Sequence, residues 1–325
     1  MFHIPIKHAG DLLPGASTKD LYLGLSILFA YVFLDGDTCS SFKLRANAKK
    51  ATEKLKKLVR AMVLAVKIGE EFHLSKLFDA SSSGRFLSDY GREMIERLLK
   101  GGKKVDEVVA EILPTAAASV ATQAQAMAQM LDVYLQPEHM RHWPEIRRCA
   151  YSQDPVDFNT LQKYALEGCR LAPAAYGTMR NAAEGGTLQD GATAIKYKKG
   201  DTLYTDFVCA GRDEQTFPNA DQVDITRDLN LYIHHGTGPH ACIGRAITQV
   251  SMAVQLGLFA KLKNLQRLPG QAGHLKYSSP LPGGAPETIR VYMTEDWSSR
   301  WPFPTSKPLL SLFLFPLYAW PQTEY

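Results

Sequence analysis

The stretch His234-His235-Gly236-Thr237-Gly238-Pro239-His240-Ala241-Cys242-Ile243-Gly244 gathers the side chains of this sequence best suited to chemistry. Cys242 stands immediately before a run that reads as a helix from about Ile243 to Leu262. At a helix start the unsatisfied N–H groups and the macrodipole favour thiolate over thiol, the state that a metal ligand or a nucleophile requires. Gly236, Gly238 and Gly244 open backbone conformations closed to other residues and let the chain come close to a ligand. A cysteine presented this way suits an axial position on iron. Three other readings stand beside it. One is a plain buried cysteine under a glycine-rich turn. Another is a zinc site from His235, His240 and Cys242, whose spacing, without a second Cys or His pair, matches the common tetrahedral sites poorly. The last is a nucleophilic cysteine with His240 as base, for which nothing elsewhere supplies an orienting third group.

The elements that must position this loop are mostly helical. After Ser17, Thr18 and Asp20, the residues Leu21, Leu25, Leu28, Phe29 and Val32 recur at helical spacing, predicting a buried helix. A second helix is predicted from about Arg45 to Glu71, with Leu55, Leu58, Val59, Met62 and Val66 on one stripe and the lysines on the other. A loop at Ser81 to Gly84 and a short helix from Asp89 to Leu99, stopped by Gly101-Gly102, follow. Val105 to Leu135 reads as a long helix interrupted by Pro114. Its face of Ala116, Ala117, Ala118, Ala121 and Ala124 buries little apolar area for its length. Either close helix packing or a flat, bulky ligand answers that slimness. After Pro144 the next helix is expected from Asn159 to Cys169, carrying the pattern Glu167-x-x-Arg170 at its end. Short runs at Thr193 to Tyr197 and Thr202 to Val208 predict a small sheet, Gly211 to Asn230 an irregular meander, and Thr288 to Met293 a further β piece.

Composition excludes several classes. The 325 residues are 45% hydrophobic and 22% charged, a globular balance that leaves no room for collagenous, disordered or disulfide-dense structure. A net charge of +4 is too small and dispersed to mark a nucleic-acid partner. The one basic run, Lys49 to Arg60, reads as a solvated helix face. Five scattered cysteines without a CxxC pair point to a reducing compartment, and neither Leu21–Leu34 nor Leu309–Trp320 reaches the roughly 20 residues needed to cross a bilayer. A cytoplasmic protein, peripheral to lipid at most, is the expectation.

Gly238-x-His240-x-Cys242-x-Gly244 resembles the haem-thiolate loop of the cytochrome P-450 superfamily, where a glycine, a basic residue, the ligand cysteine and a second glycine come in that order. Glu167-x-x-Arg170 has the form of that superfamily's helical pair, and Arg227 stands where its meander arginine closes an ion-pair triad. Such a bidentate cluster would pin helix, meander and ligand loop together. More narrowly, Leu21 to Asp37, Pro114 to Gln125, the loop itself, Leu262 to Tyr277, and Ile289 to Pro304 with its YMTED core resemble the C-terminal part of fungal fatty-acid dioxygenase–cytochrome P-450 fusion proteins, the linoleate diol synthase or psi-producing oxygenase group.

The resemblance implies a mainly α, haem-thiolate fold with small β-sheets over residues 1–307, lacking its N-terminal part, followed by an atypical apolar tail at 308–325. It implies a haem whose iron is held by Cys242, with His240 at a propionate and Gly238 and Gly244 shaping the loop. The family's Ala-Asn-Gln-x-Gln motif on the distal side reads Ala121-Thr122-Gln123-Ala124-Gln125 here. Thr122, Gln123 and Gln125 are thereby the expected catalytic positions, although Thr122 offers one hydroxyl donor where the family has an amide. The aromatic residue usual seven positions before the cysteine is His235. Glu167, Arg170 and Arg227 are expected to be structural. The implied activity is isomerisation of a fatty-acid hydroperoxide or monooxygenation of a fatty acid, the thiolate pushing electron density onto iron to favour O–O cleavage. The implied partners are the fatty-acid substrate and an upstream or separate haem dioxygenase domain. A catalytically idle haem-binding remnant and a non-haem module docking on such a dioxygenase are the alternatives.

Overall fold

A computed structural model describes residues 18–33, 41–71, 90–267, 270–277, 286–288 and 291–292. The expected loop at Ser81 to Gly84, the apolar tail and Cys39 lie outside them. The chain divides into two compact units, Met1–Thr122 and Gln123–Tyr325.

In the first unit, α1 (Thr18–Phe33), α2 (Ser41–Glu71), α3 (Tyr90–Lys100) and the start of α4 (Val105–Tyr134) share an apolar core that includes Leu25, Leu58, Val63, Ile95, Val108 and Ile112. The stripe of leucines and valines on α2 is the face that enters this core, and its lysines stay outside, as helical periodicity requires. Helix α3 ends where Gly102 takes a φ of +85°, a left-handed stop that glycine adopts without a Cβ penalty. Pro114 does not interrupt α4. It sits on an exposed position, and in the following residue the Thr115 hydroxyl donates to the Glu111 carbonyl at 2.7 Å.

The second unit is built on the rest of α4 together with α5 (Trp143–Tyr151), α6 (Pro155–Leu171) and α8 (Arg245–Ala260), which enclose Met130, Leu131, Ile146, Leu161, Met252 and Leu256. Helix α5 was not anticipated, because Pro144 reads as a breaker. In fact the proline lies in the first turn, where its missing N–H costs nothing. The same logic moves the start of α6 forward to Pro155, with the Asp154 carboxylate accepting the Val156 N–H at 2.8 Å. Gly168 lets α4 and α6 touch: a Cβ there would stand 2.5 Å from Met130 Cγ.

The small sheets are antiparallel pairs. β1 (Gly177–Asn181) pairs with β4 (Thr202–Asp206), and β2 (Gly186–Asp190) with β3 (Thr193–Tyr197). The expected strand through Val208 stops at Asp206, whose carboxylate accepts the Val208 and Cys209 N–H groups and starts α7 (Phe207–Gly211). Near the C-terminus β5 (Gln266–Arg267) pairs with β8 (Val291–Tyr292), and β6 (Lys276–Tyr277) with β7 (Pro286–Thr288).

Candidate functional site

The site grows from one buried carboxylate on α6. Glu167 is fully buried and takes four hydrogen bonds, two on each oxygen. Oε1 accepts from Arg170 Nε at 2.8 Å and from Tyr232 Oη at 2.7 Å, while Oε2 accepts from Arg170 Nη2 at 2.9 Å and from the Asp224 N–H at 2.8 Å. Arg170 spends all five guanidinium N–H groups. Beyond the two to Glu167, Nη1 donates to the carbonyls of Gly211 and Ala220 at 2.6 Å each, and Nη2 to that of Gln222 at 2.9 Å. A buried ion pair is tolerable only when every lone pair and proton is used in this way. The result is that α6 grips the polar meander at three carbonyls and one amide.

Arg227, expected as the third charge of this cluster, pairs with Glu167 at ion-pair rather than hydrogen-bond distance. Its Nε stands 3.6 Å from Glu167 Oε2 and has no hydrogen-bond partner. The four acceptor sites of Glu167 are already filled, so the distance does not close. Arg227 instead donates Nη2 to the Pro218 and Asn219 carbonyls at 3.0 and 3.2 Å. Its guanidinium lies 5.7 Å from the centroid of the buried Phe217 ring, over which Arg170 also sits at 5.0 Å. Tyr232 is a further donor to the same carboxylate, and its hydroxyl stays protonated because burial and the Glu167 carboxylate push its pKa up. Sequence reading passed over both Tyr232 and Phe217, since neither belongs to a charged or metal-ligating type.

From Tyr232 the chain enters the cysteine loop. A 3₁₀ turn at Leu229–Leu231, started by Asp228, delivers the tyrosine, and the Gly236 N–H returns to the Ile233 carbonyl at 2.7 Å with Gly236 at φ +69°. A second 3₁₀ turn spans Gly238–His240, with Gly238 at φ +63°. The Cys242 N–H then closes the loop onto the His235 carbonyl at 2.8 Å. Helix α8 begins at Arg245 with Gly244 as its cap. Cys242 therefore stands two residues before the cap, not at it, a correction to the expected start at Ile243.

The side chains of the loop separate the chemical readings. Cys242 is exposed, so it is not a core cysteine, and Ile243 beside it is 90% exposed. Among the described residues no three His, Cys, Asp or Glu side chains cluster as a metal cage, so the zinc set His235, His240 and Cys242 is not assembled. His240 is exposed and makes no hydrogen bond to Cys242, which removes the base from the nucleophile reading. The rings of His234 and His235 lie 4.4 Å apart, tilted by 48°. Burial drives the pKa of His234 well down, and burial with the Arg245 cation takes His235 to about 4, so both rings are neutral near pH 7. His234 Nε2 is buried and has no hydrogen-bond partner among the described residues. A solitary exposed thiol on a tied-down loop suits a metal that brings its other ligands with it.

The expected glutamine motif is more dispersed. Gln125 is buried, and its Nε2 donates to the Ala174 carbonyl at 2.9 Å. Gln123 is half-buried and its Oε1 faces Gln255 Nε2 of α8 at 3.5 Å, while Thr122 is half-buried on its own unit's end of α4. A buried glutamine one turn on, Gln129, was not singled out from sequence. Its Nε2 donates to Tyr176 Oη at 2.6 Å, and its Oε1 has no partner among the described residues.

The family model described as Cytochrome P450 matches residues 104–278, more than half of the chain. A bifunctional dioxygenase–epoxy alcohol synthase of Fusarium oxysporum is 38% identical over 311 residues, covering 94% of this chain and 24% of that protein. Psi-producing oxygenase A of Aspergillus fumigatus is 35% identical over 308 residues, at 94% and 28% coverage, and 7,8-linoleate diol synthase of Pyricularia oryzae is 29% identical over 339 residues, at 85% and 29%. The chain thus spans roughly a quarter of the length of these curated relatives. Among solved structures, the haem domain of CYP116B5 from Acinetobacter radioresistens is similar with a TM-score of 0.59 at 18% identity, covering 85% of this chain and 60% of that one.

Proposed function

We propose, from the premise that this chain belongs to the cytochrome P450 family, whose cofactor is a haem with cysteine-ligated iron, that Cys242 is the iron's ligand and that the substrate is an oxygenated long-chain fatty acid. The observation that carries the first part is the exposed thiol of Cys242 on a loop tied by Tyr232 to the buried Glu167–Arg170 pair. The residues present fit the group. The donor set is one soft thiol, and the apolar Ile243 next to it lies open to be covered. A Cβ at Gly238 would meet nothing within 4 Å, so the loop's outer backbone is free to be approached. His234 Nε2 is a buried polar atom that finds no partner among the described residues.

When bound, the haem supplies redox and O–O bond chemistry, tuned by the electron-donating thiolate. The chain's own residues bind and orient. Glu167 and Arg170 hold the meander and the loop in register, so the sulfur is presented without rearrangement. His240, exposed at the end of its 3₁₀ turn, is the residue for a propionate, and Gly244 leaves the cap of α8 slim beside the sulfur, where a Cβ would sit 3.6 Å from Sγ. On α4, Gln125 is committed to Ala174, which leaves Gln123 as the amide for an oxygenated chain. The fatty-acid part of the proposal rests on the names of the relatives, which are an epoxy alcohol synthase, a psi-producing oxygenase and a linoleate diol synthase. Isomerisation of a hydroperoxide delivered by a dioxygenase partner is the reaction this reading favours.

The test is expression of the chain with a haem precursor, followed by reduction under carbon monoxide. The expected result is the long-wavelength Soret band of a thiolate opposite carbon monoxide, abolished in Cys242→Ala. Incubation with linoleate and with its hydroperoxides then separates monooxygenation from isomerisation by product. A colourless wild-type protein sinks the assignment of Cys242, and a haem-loaded protein that yields no diol, epoxy alcohol or ketone sinks that of the substrate.

A further inference from the structure

We propose that Tyr232 is the positioning residue of the cysteine loop: its hydroxyl bond to Glu167 clasps the loop to α6 and thereby sets how the Cys242 sulfur is presented. The inference rests on the reading of Cys242 as the ligand and extends it to a residue outside the charged cluster. Among the described residues, Tyr232 Oη to Glu167 Oε1 at 2.7 Å is the one side-chain hydrogen bond that joins the segment 229–244 to another element. It is buried at both ends, with Tyr232 3% and Glu167 0% exposed. A hydrogen bond to a charged, fully desolvated acceptor is of the strong kind and holds its partner to a narrow geometry.

The clasp is transmitted by backbone. Tyr232 is followed at once by the turn in which the Gly236 N–H meets the Ile233 carbonyl, and the next residue back, His235, receives the Cys242 N–H at 2.8 Å. Tyr232, the turn and the cysteine amide therefore form a short chain of bonds ending on the ligand residue. The ring is fixed as well as the hydroxyl, lying 6.2 Å from Phe217 and edge-on to His234 at 6.1 Å. Arg227, 3.6 Å from Glu167 Oε2, pairs the meander with the same acid, but its Nη2 bonds stay within the meander and none reaches the segment 229–244.

The experiment compares the full wild-type chain with Tyr232→Phe, which keeps the ring between Phe217 and His234 and removes only the donor. Hydrogen exchange on the haem-free proteins is expected to show about ten-fold less protection at the Gly236 and Cys242 amides, with Ala165 and Cys169 of α6 unchanged. After haem loading, the reduced carbonyl form of the variant is expected to show a several-fold larger share of the short-wavelength Soret band that marks loss of the thiolate. Unchanged protection in the loop overturns the clasp, and so does an equal loss in α6, which would mean general destabilisation. A carbonyl spectrum identical to wild type overturns its effect on the sulfur. A wild-type chain that takes up no haem overturns the ligand assignment instead, and the exchange result then decides the clasp by itself.

Discussion

Glu167 shows what a buried carboxylate requires. Two oxygens offer about four lone-pair sites, and Arg170, Tyr232 and the Asp224 amide fill them all. Removing the acid leaves the Arg170 cation buried without its counter-charge, a loss of about 3–5 kcal/mol. Arg227 gives up less when removed: a 3.6 Å ion pair to a Glu167 that keeps its four hydrogen bonds, the contact with the Phe217 ring, and bonds to carbonyls at the meander's edge. Urea unfolding is therefore expected to place Glu167→Gln about 3 kcal/mol or more below wild type, and Arg227→Met about 1–2 kcal/mol below. Equal losses in the two variants would mean that the longer Arg227–Glu167 pair matters as much as the Glu167–Arg170 pair.

At the scale of elements, glycines decide which surfaces can meet. Gly177 opens β1, and a Cβ there would stand 2.2 Å from the Thr205 carbonyl and 2.6 Å from the Tyr204 ring on β4. Because the first obstacle is backbone, the strand pair itself has to shift. Gly191, in the turn joining β2 to β3, has φ +54° and open space around it. Gly191→Ala meets only the left-handed backbone penalty of about 1 kcal/mol, whereas Gly177→Ala meets an overpacking cost at the upper end of about 1–3 kcal/mol or beyond it. Thermal melts followed by circular dichroism are expected to rank the two in that order, and the reverse order would contradict the β1–β4 pairing.

For the molecule as a whole, the described thiols fall into two classes. Cys209 and Cys242 are exposed, and Cys149 and Cys169 are buried. Burial takes the Cys169 thiol to about 12 and, with Glu145 and Asp157 opposing Arg148, leaves Cys149 at about 11. Both are neutral in the folded chain, while the unfolded chain ionises them near 9. The stabilisation is complete below pH 9 and is lost as pH rises through the folded values, since the unfolded state releases protons first. The urea midpoint of the haem-free protein is expected to fall from about pH 9 upward, and Cys169→Ala to flatten that slope. A thiol reagent at neutral pH is expected to modify Cys209 and Cys242 quickly and the buried pair only on unfolding. Rapid modification of Cys169 would contradict the packing of α6. Among the described residues no helix is long and apolar enough to cross a membrane.

Local signals were enough for the helices with one apolar stripe, for the Glu167-x-x-Arg170 pair and for the glycine-spaced cysteine loop, because periodicity and backbone freedom are properties of adjacent residues. They failed at Pro144 and Pro155, where a proline starts a helix as readily as it ends one, and at Pro114, whose exposed position lets α4 run on. What tertiary structure alone decided is which groups complete the buried carboxylate. Tyr232 lies 65 residues from Glu167, and no pattern in the chain pairs a tyrosine hydroxyl with a distant acid. Tyr232 takes a lone pair of Glu167 at hydrogen-bond distance while Arg227 stays at ion-pair distance, and that ranking exists only once the donors have been folded around the same two oxygens.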